Sequence, residues 1–246
     1  MILKAHVKQL LTISFAVTLL SCNNSTNSNP ANVNKDTIIE KPVSEKRNVE
    51  VVTKISVNNM DSLPEQIKHE GDIVDTKMWK DKSGEHYVLI SEKKQGEYLT
   101  ANWLSKLDAY MYTKIDGNFK LGWHVKDNVS ISSEINYLKK SLTVLDINND
   151  GDAEVCFFYS FTEDGADPMP LKMILYTKEK KLAIRGLIPR SVSDLNLYKK
   201  VIDAKGVSKD IKTYASKEWD KTSTNQMKKI IGEEVIKSKD FPIKNN

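Results

Sequence analysis

Between Val51 and Ile188 apolar and polar residues alternate mostly with a period of two, and this alternation constrains the fold more than any other feature of the chain. Successive side chains of a strand point to opposite faces, so the pattern describes sheets with a buried face. Ile73 to Lys80 and Glu85 to Glu92 flank Asp81-Lys82-Ser83-Gly84 and predict a hairpin. Lys106 to Ile115 and Phe119 to Lys126 flank Asp116-Gly117-Asn118 and predict a second. A three-residue loop there sets Ile115 opposite Phe119, Met111 opposite Trp123 and Ala109 opposite Val125, gathering apolar residues on one face. A two-residue Asp-Gly loop sets Lys114 opposite Phe119 and segregates them less well, so the three-residue register is expected.

Ser141 to Ile147 and Val155 to Phe161 form the next pair; the second strand is apolar on both faces, which predicts a central position covered on both sides. Leu171 to Thr177 and Leu182 to Ile188 pair around Lys178-Glu179-Lys180-Lys181. Beyond Pro189 the period changes. Ile211, Tyr214, Ala215 and Trp219, then Met227, Ile230, Ile231 and Val235, stand at helical spacing. Gly232 weakens the second helix, and Pro242 lies beyond its end. The expected fold is α+β and β-rich: an antiparallel, meandering sheet of hairpins with two C-terminal helices packed on it.

The first residues carry an address. Met1 to Lys8 is a basic segment with Lys4 and Lys8, and Leu10 to Leu20 is an apolar run of about eleven residues, too short to span a bilayer comfortably. It ends in Leu19-Leu20-Ser21-Cys22, which resembles a bacterial lipobox. The resemblance implies that residues 1–21 are a cleaved signal peptide and that Cys22 becomes a lipidated, membrane-anchored N-terminus. Asn23 to Asn34 is a low-complexity Asn/Ser stretch that cannot bury enough apolar surface to offset chain entropy. Residues 22–48 therefore read as a disordered tether spanning roughly 25–30 Å, and residues 49–246 as a single globular domain. The lack of acidic residues just after Cys22 favours an outer-membrane anchor facing the periplasm.

Cysteine usage agrees with this reading. Cys22 and Cys156 are the two cysteines, and acylation of the first leaves no internal disulfide. An exported domain of this kind is held together by its core or by an ion. Cys156 lies in Val155-Cys156-Phe157-Phe158-Tyr159 and reads as a buried small hydrophobe rather than a catalytic thiol. The net charge of +4 falls to about +2 without Lys4 and Lys8, and Lys and Glu/Asp are interspersed. No basic stripe is present, which argues against a nucleic-acid partner.

One segment carries chemistry: Asp146-Ile147-Asn148-Asn149-Asp150-Gly151-Asp152-Ala153-Glu154. Oxygen side chains occupy its positions 1, 3, 5 and 9, Gly stands at 6, and Asp152 at 7 would offer its backbone carbonyl. Calcium needs six to eight oxygens, and Gly permits the sharp bend of such a loop. Position 12 is Phe157, so this is not an EF-hand. Asn, Asp and Gly are also what tight polar turns prefer, but four carboxylates within nine residues repel one another without a cation. The expected ligands are Asp146, Asn148, Asp150, Asp152 and Glu154, and the ion's expected role is structural.

Other candidates are weaker. His124 alternates with Leu121, Trp123 and Val125 and falls on the polar face with Lys120 and Lys126; His86 starts a strand and His69 sits in a loop. No pair of His residues, His6 included, has metal-ligand spacing, and neither H-E-x-x-H nor a nucleophile elbow, Walker loop or dinucleotide loop occurs. Trp79, Trp103, Trp123 and Trp219 read as core more readily than as a glycan groove. Arg185 sits mid-strand, with an ion pair as its simplest explanation. Glu163-Asp164-Gly165-Ala166-Asp167 is an acidic loop that could add carboxylates to the ion site, and Glu163 with Asp167 could serve a glycan hydrolase if their spacing allowed.

The acidic segment resembles the D-x-N-x-D-G-x-x-E loops of FG-GAP-type calcium-binding repeats, in which Glu154 would close the site. Together with the lipobox, the tether, Met78-Trp79-Lys80-Asp81, Lys172-Met173-Ile174-Leu175 and Ile184-Arg185-Gly186, the chain resembles a family of small Bacteroidetes lipoproteins labelled surface-polysaccharide biosynthesis proteins. The resemblance implies a role at the envelope and no catalytic residues. The expectation is a non-enzymatic, lipid-anchored, calcium-stabilised module that binds an envelope protein or glycan. The alternatives are a periplasmic inhibitor of lysozyme-type enzymes and an envelope glycan hydrolase.

Overall fold

The alternation builds two antiparallel sheets rather than one. A computed structural model of the chain describes residues 55–60, 62–163, 168–178 and 180–237. The expected signal peptide, Cys22 and the expected tether lie outside the described residues. Sheet 1 is a plain meander of β1 (Ser56–Asn59), β2 (Asp72–Asp81), β3 (Gly84–Gln95), β4 (Leu104–Ile115) and β5 (Asn118–Ser130). Sheet 2 contains β6 (Ser133–Tyr137), β7 (Thr143–Leu145), β8 (Glu154–Glu163), β9 (Met169–Tyr176), β10 (Lys181–Ile188) and β11 (Lys199–Asp203). Its order is β11-β10-β9-β8-β6, with β7 also on β8. The chain crosses between sheets at Ile131, whose φ of 63° is a left-handed conformation that a β-branched residue seldom takes. A period of two fixes which face a residue occupies and not which sheet a strand joins, so the sequence reading merged the two.

Val88, Ile90, Leu107 and Ala109 of sheet 1 share one core with Val155, Phe157, Tyr159 and Ile174 of sheet 2. Phe158, Met173, Leu175 and Ile184 form the opposite face of sheet 2, under the helix. Strand β8 is thus covered on both sides, as its continuous apolar run predicts. Cys156 lies in that second layer, and burial pushes its thiol far up from its ordinary range. The outer face of sheet 1, with Tyr87, Leu89, Tyr110 and Tyr112, is covered by Met60, Leu63 and Ile67 of the segment before β2.

The two expected helices are largely one. Helix α1 (Lys209–Ile231) starts at Ser208, whose side chain accepts a hydrogen bond from the Ile211 N–H, and ends at Gly232; α2 (Glu233–Lys237) is a short continuation. Ile211, Ala215, Trp219, Ser223 and Met227 are buried at strict four-residue spacing. Ser223 bridges the polar stretch that made the pattern look interrupted. Trp219 is wholly buried and donates its Nε1–H to Tyr198 at 3.0 Å.

The β2–β3 hairpin forms as expected, with Lys80 opposite Glu85. The β4–β5 hairpin combines the two registers that the sequence allowed. Its turn is the two-residue one: Lys114 faces Phe119, and Asp116 and Gly117 have φ of 50° and 80°. A bulge at Gly122 then absorbs one residue, so Met111 faces Trp123 and Ala109 faces Val125 as expected, while Ile115 faces Asn118 and not Phe119.

Candidate calcium loop at the seam of the sheets

The segment from Asp146 to Glu154 joins β7 to β8 and closes on itself. Asp146 accepts the backbone N–H of Asp150 on Oδ1 at 3.1 Å and that of Gly151 on Oδ2 at 2.9 Å. Asp150 Oδ1 accepts the N–H of Asp152 at 2.9 Å, and Glu154 Oε2 accepts that of Ile147 at 2.8 Å. Asn149 and Gly151 take left-handed φ values of 56° and 84°. At Gly151 a Cβ would also come within 3.1 Å of the Lys82 side chain, so the glycine serves both the bend and the approach of a neighbour.

That neighbour belongs to the other sheet. Lys82, in the β2–β3 turn, donates its backbone N–H to the Gly151 carbonyl at 3.0 Å and its Nζ to the Asp150 carbonyl. Asp81, one residue earlier, accepts the N–H of Ala153 at 3.1 Å. Asp152 Oδ2 lies 3.4 Å from Lys82 Nζ and 3.3 Å from Lys178 Nζ, the latter in the β9–β10 turn. The acidic loop is thus gripped by turns from both sheets.

Its carboxylates divide by burial. Asp150 is exposed and Asp146 half-buried, whereas Asp152 and Glu154 are buried. Asp152 Oδ1 is enclosed with no hydrogen-bond partner, a costly state for a carboxylate oxygen. Burial is the largest effect on Glu154 and pushes it up. The hydrogen bond from Ile147 opposes that, the charges of Asp150, Asp146 and Asp152 add to it, and the group arrives at about 7. All five expected ligands therefore come together in one loop. Among the described residues, however, no three His, Cys, Asp or Glu side chains are already arranged to hold a metal ion. Asn148, too, is turned away from an ion-holding arrangement, because its Nδ2 rather than an oxygen meets Asp150 Oδ2, at 2.8 Å. Rotating that amide would present Oδ1 in its place, and carboxylate oxygens that already accept a backbone N–H keep a lone pair for an ion. The donor set, all hard oxygen, fits calcium.

The grip centres on a cluster that the sequence reading treated only as a turn. Asp81 accepts five hydrogen bonds: from the Ser83 N–H and Oγ–H at 2.8 Å, from His86 Nε2 at 2.9 Å, from Trp79 Nε1 at 2.9 Å and from Ala153. Burial would raise its pKa, but these donors and the nearby His86 hold it down at about 2. Ser83, His86 and Asp81 have the membership of a hydrolase triad with different wiring. His86 Nε2 lies 2.9 Å from Asp81 Oδ1 and 3.1 Å from Ser83 Oγ, Ser83 Oγ also lies 2.8 Å from Asp81 Oδ1, and His86 Nδ1 meets Thr113 Oγ1 at 2.9 Å. In a triad the carboxylate and the hydroxyl sit on opposite nitrogens of the imidazole; here both meet Nε2, and the triad's wiring is not formed.

Of the other candidates, His124 stacks on Tyr110 with ring centroids 4.2 Å apart and bonds to the buried Asp108 at 2.7 Å. Trp79, Trp103 and Trp219 are core residues. Trp123 is half-buried, stacked on Tyr176 in a cleft of about 380 Å³ beside Asp152. The side chain of Glu163 and all of residues 164–167 lie outside the described residues. Among the described residues no helix is long and apolar enough to cross a membrane.

Comparison with protein-family models, with characterised proteins and with solved structures finds no match to the chain. Function has to be argued from these residues.

Proposed function

We propose that this chain is a lipid-anchored envelope protein whose two-sheet domain is fastened by a calcium ion in the Asp146–Glu154 loop. It acts by binding an envelope protein or glycan in surface-polysaccharide biogenesis rather than by catalysis. The observation that carries the ion is the pair of buried carboxylates, Asp152 with an oxygen that has no partner and Glu154 pushed up to about 7. A divalent cation would supply the positive charge that Glu154 lacks and a partner for Asp152 Oδ1, whose other oxygen already meets Lys82 and Lys178. Asp146, Asn148, Asp150 and Glu154 would hold it through side-chain oxygens, with Asp152 adding a carbonyl or its free Oδ1. The anchor rests on Leu19-Leu20-Ser21-Cys22, and the envelope role on the family resemblance.

Loops of this kind in extracellular modules bind calcium at roughly 10⁻⁴–10⁻³ M, and saturation a hundredfold above Kd adds about 2.7 kcal/mol. The deciding measurement is thermal unfolding of the purified protein in EDTA and in millimolar calcium. A rise of several degrees in calcium that Asp150→Ala removes is the expected result; equal melting in both buffers refutes the ion. For the anchor, Cys22→Ala should abolish lipid labelling and release the protein from the membrane fraction, and an unchanged distribution refutes it.

A further inference from the structure

Arg185, for which an ion pair was the simplest expectation, makes none. It projects from the middle of β10 on the face of sheet 2 that carries Ala183 and Leu187, and it is exposed. Sheet 1 covers that face over β8, β9 and Ala183 of β10, and β5 meets β9 where Trp123 stacks on Tyr176 and Asp127 lies 2.6 Å from Lys172. Beyond this line a hollow of about 490 Å³ opens over β9, β10 and β11. Its walls are Phe161, Pro170, Leu187 and Val201, and its charges are Arg185, Lys172 and Lys199.

The register makes the charge accumulation specific. Arg185 lies directly opposite Lys172 on β9 and Val201 on β11, and Lys199 lies opposite Leu187. Like charges facing each other across strands are destabilising, and among the described residues no carboxylate offsets all three. Asp127 and the Tyr159 ring, 5.3 Å away, engage Lys172. Among the described residues the side chains of Arg185 and Lys199 have neither an ion pair nor a hydrogen bond, and Asp203, the carboxylate farther along the same face of β11, stands opposite Ala183 and does not line the hollow. A guanidinium with its fork of donors free, set over apolar walls in a hollow of small-ligand size, is the recognition pattern for an anion on an apolar body.

We propose that this hollow binds an amphipathic anion, with a carboxylate or phosphate head on Arg185 and Lys199 and an apolar portion against Phe161, Leu187 and Val201. The site is independent of the calcium loop. The head could belong to a soluble compound or to a lipid, and the test separates the two. The purified protein, labelled with nitrogen-15, is titrated in EDTA with octyl phosphate and with octyl glucoside, both below micelle formation, and then with phosphatidylcholine vesicles with and without phosphatidic acid. Octyl phosphate should shift the amide resonances of residues 185–187 and 199–201 and bind at least tenfold more tightly than octyl glucoside. Arg185→Gln, an exposed substitution, should weaken it about tenfold, and Lys199→Gln should weaken it less. Additional binding to the phosphatidic acid vesicles assigns a lipid head, and binding to octyl phosphate alone assigns a soluble ligand. Equal affinity for octyl glucoside, or an Arg185→Gln protein that retains its spectrum and binds octyl phosphate like the wild type, overturns the proposal.

Discussion

Asp81 reaches from one sheet to the other and accepts the backbone N–H of Ala153 at 3.1 Å, inside the loop that carries the candidate ion ligands. The same carboxylate ties down Trp79, Ser83 and His86, so a single side chain couples the core of sheet 1 to the acidic loop of sheet 2. Asp81→Ala leaves the Trp79, His86 and Ala153 donors without a partner in a covered place, and the expected loss is about 3 kcal/mol. Urea unfolding measures that loss, and amide hydrogen exchange should show faster exchange at Ala153. A variant as stable as the wild type, with Ala153 still protected, would mean that the seam is held elsewhere.

Acid should act through the same residue. Asp81 titrates at about 2 in the fold against an ordinary value of 3.8, so the folded protein resists its protonation. The stabilisation is complete above about pH 4 and is lost as pH falls toward 2, on the order of 2 kcal/mol in all. Asp81→Asn should flatten the part of the stability profile between about pH 4 and 2. An unchanged acid slope in that variant would assign acid unfolding to other carboxylates.

Glu154 should act in the opposite direction. Its folded value of about 7 lies above the ordinary 4.5, so the folded state holds the proton longer than the unfolded chain. In EDTA, stability should therefore fall as pH rises from about 4.5 to 7, by on the order of 3 kcal/mol, and then level off. Glu154→Gln keeps an acceptor for the Ile147 N–H and removes the charge. It should be more stable than the wild type at pH 8 in EDTA and should gain less from calcium. Steady wild-type stability from pH 5 to 8 in EDTA would contradict the assigned environment.

How much of this was legible in the sequence depends on the range of the interaction involved. Met111 opposite Trp123 could be read because both strands sort apolar from polar residues locally, whereas the turn register could not, because Gly122 signals a bulge only once its partner strand is known. The polar edge strands β1 and β11 have too little alternation to announce themselves, and β6 alternates over only five residues. Ser223 hid the continuity of α1, since a buried serine breaks a pattern written in apolar residues. At the candidate site the five expected ligands alternate along one nine-residue segment and were readable. Asp81, Lys82 and Lys178 were not, because they reach the loop only through the packing of two sheets.

Gly186 and Gly122 separate two reasons for a glycine in a strand. At Gly122 a Cβ would lie 2.6 Å from Met111 Cε and 3.1 Å from its Sδ, the far end of a flexible side chain. Methionine can swing aside, so Gly122→Ala should cost about 1 kcal/mol or less. At Gly186 a Cβ would lie 2.0 Å from the Lys199 carbonyl oxygen and 2.6 Å from Cζ2 of the wholly buried Trp219. Neither can yield without parting β11 from β10 or lifting α1 from the sheet. Gly186→Ala should therefore cost about 3 kcal/mol, at the upper end of overpacking. Urea unfolding of the two variants side by side gives the comparison. The order matters more than the values: if Gly122→Ala were the more damaging, the close approach of β11 and Trp219 over Gly186 would be wrong, and with it the floor beneath Arg185.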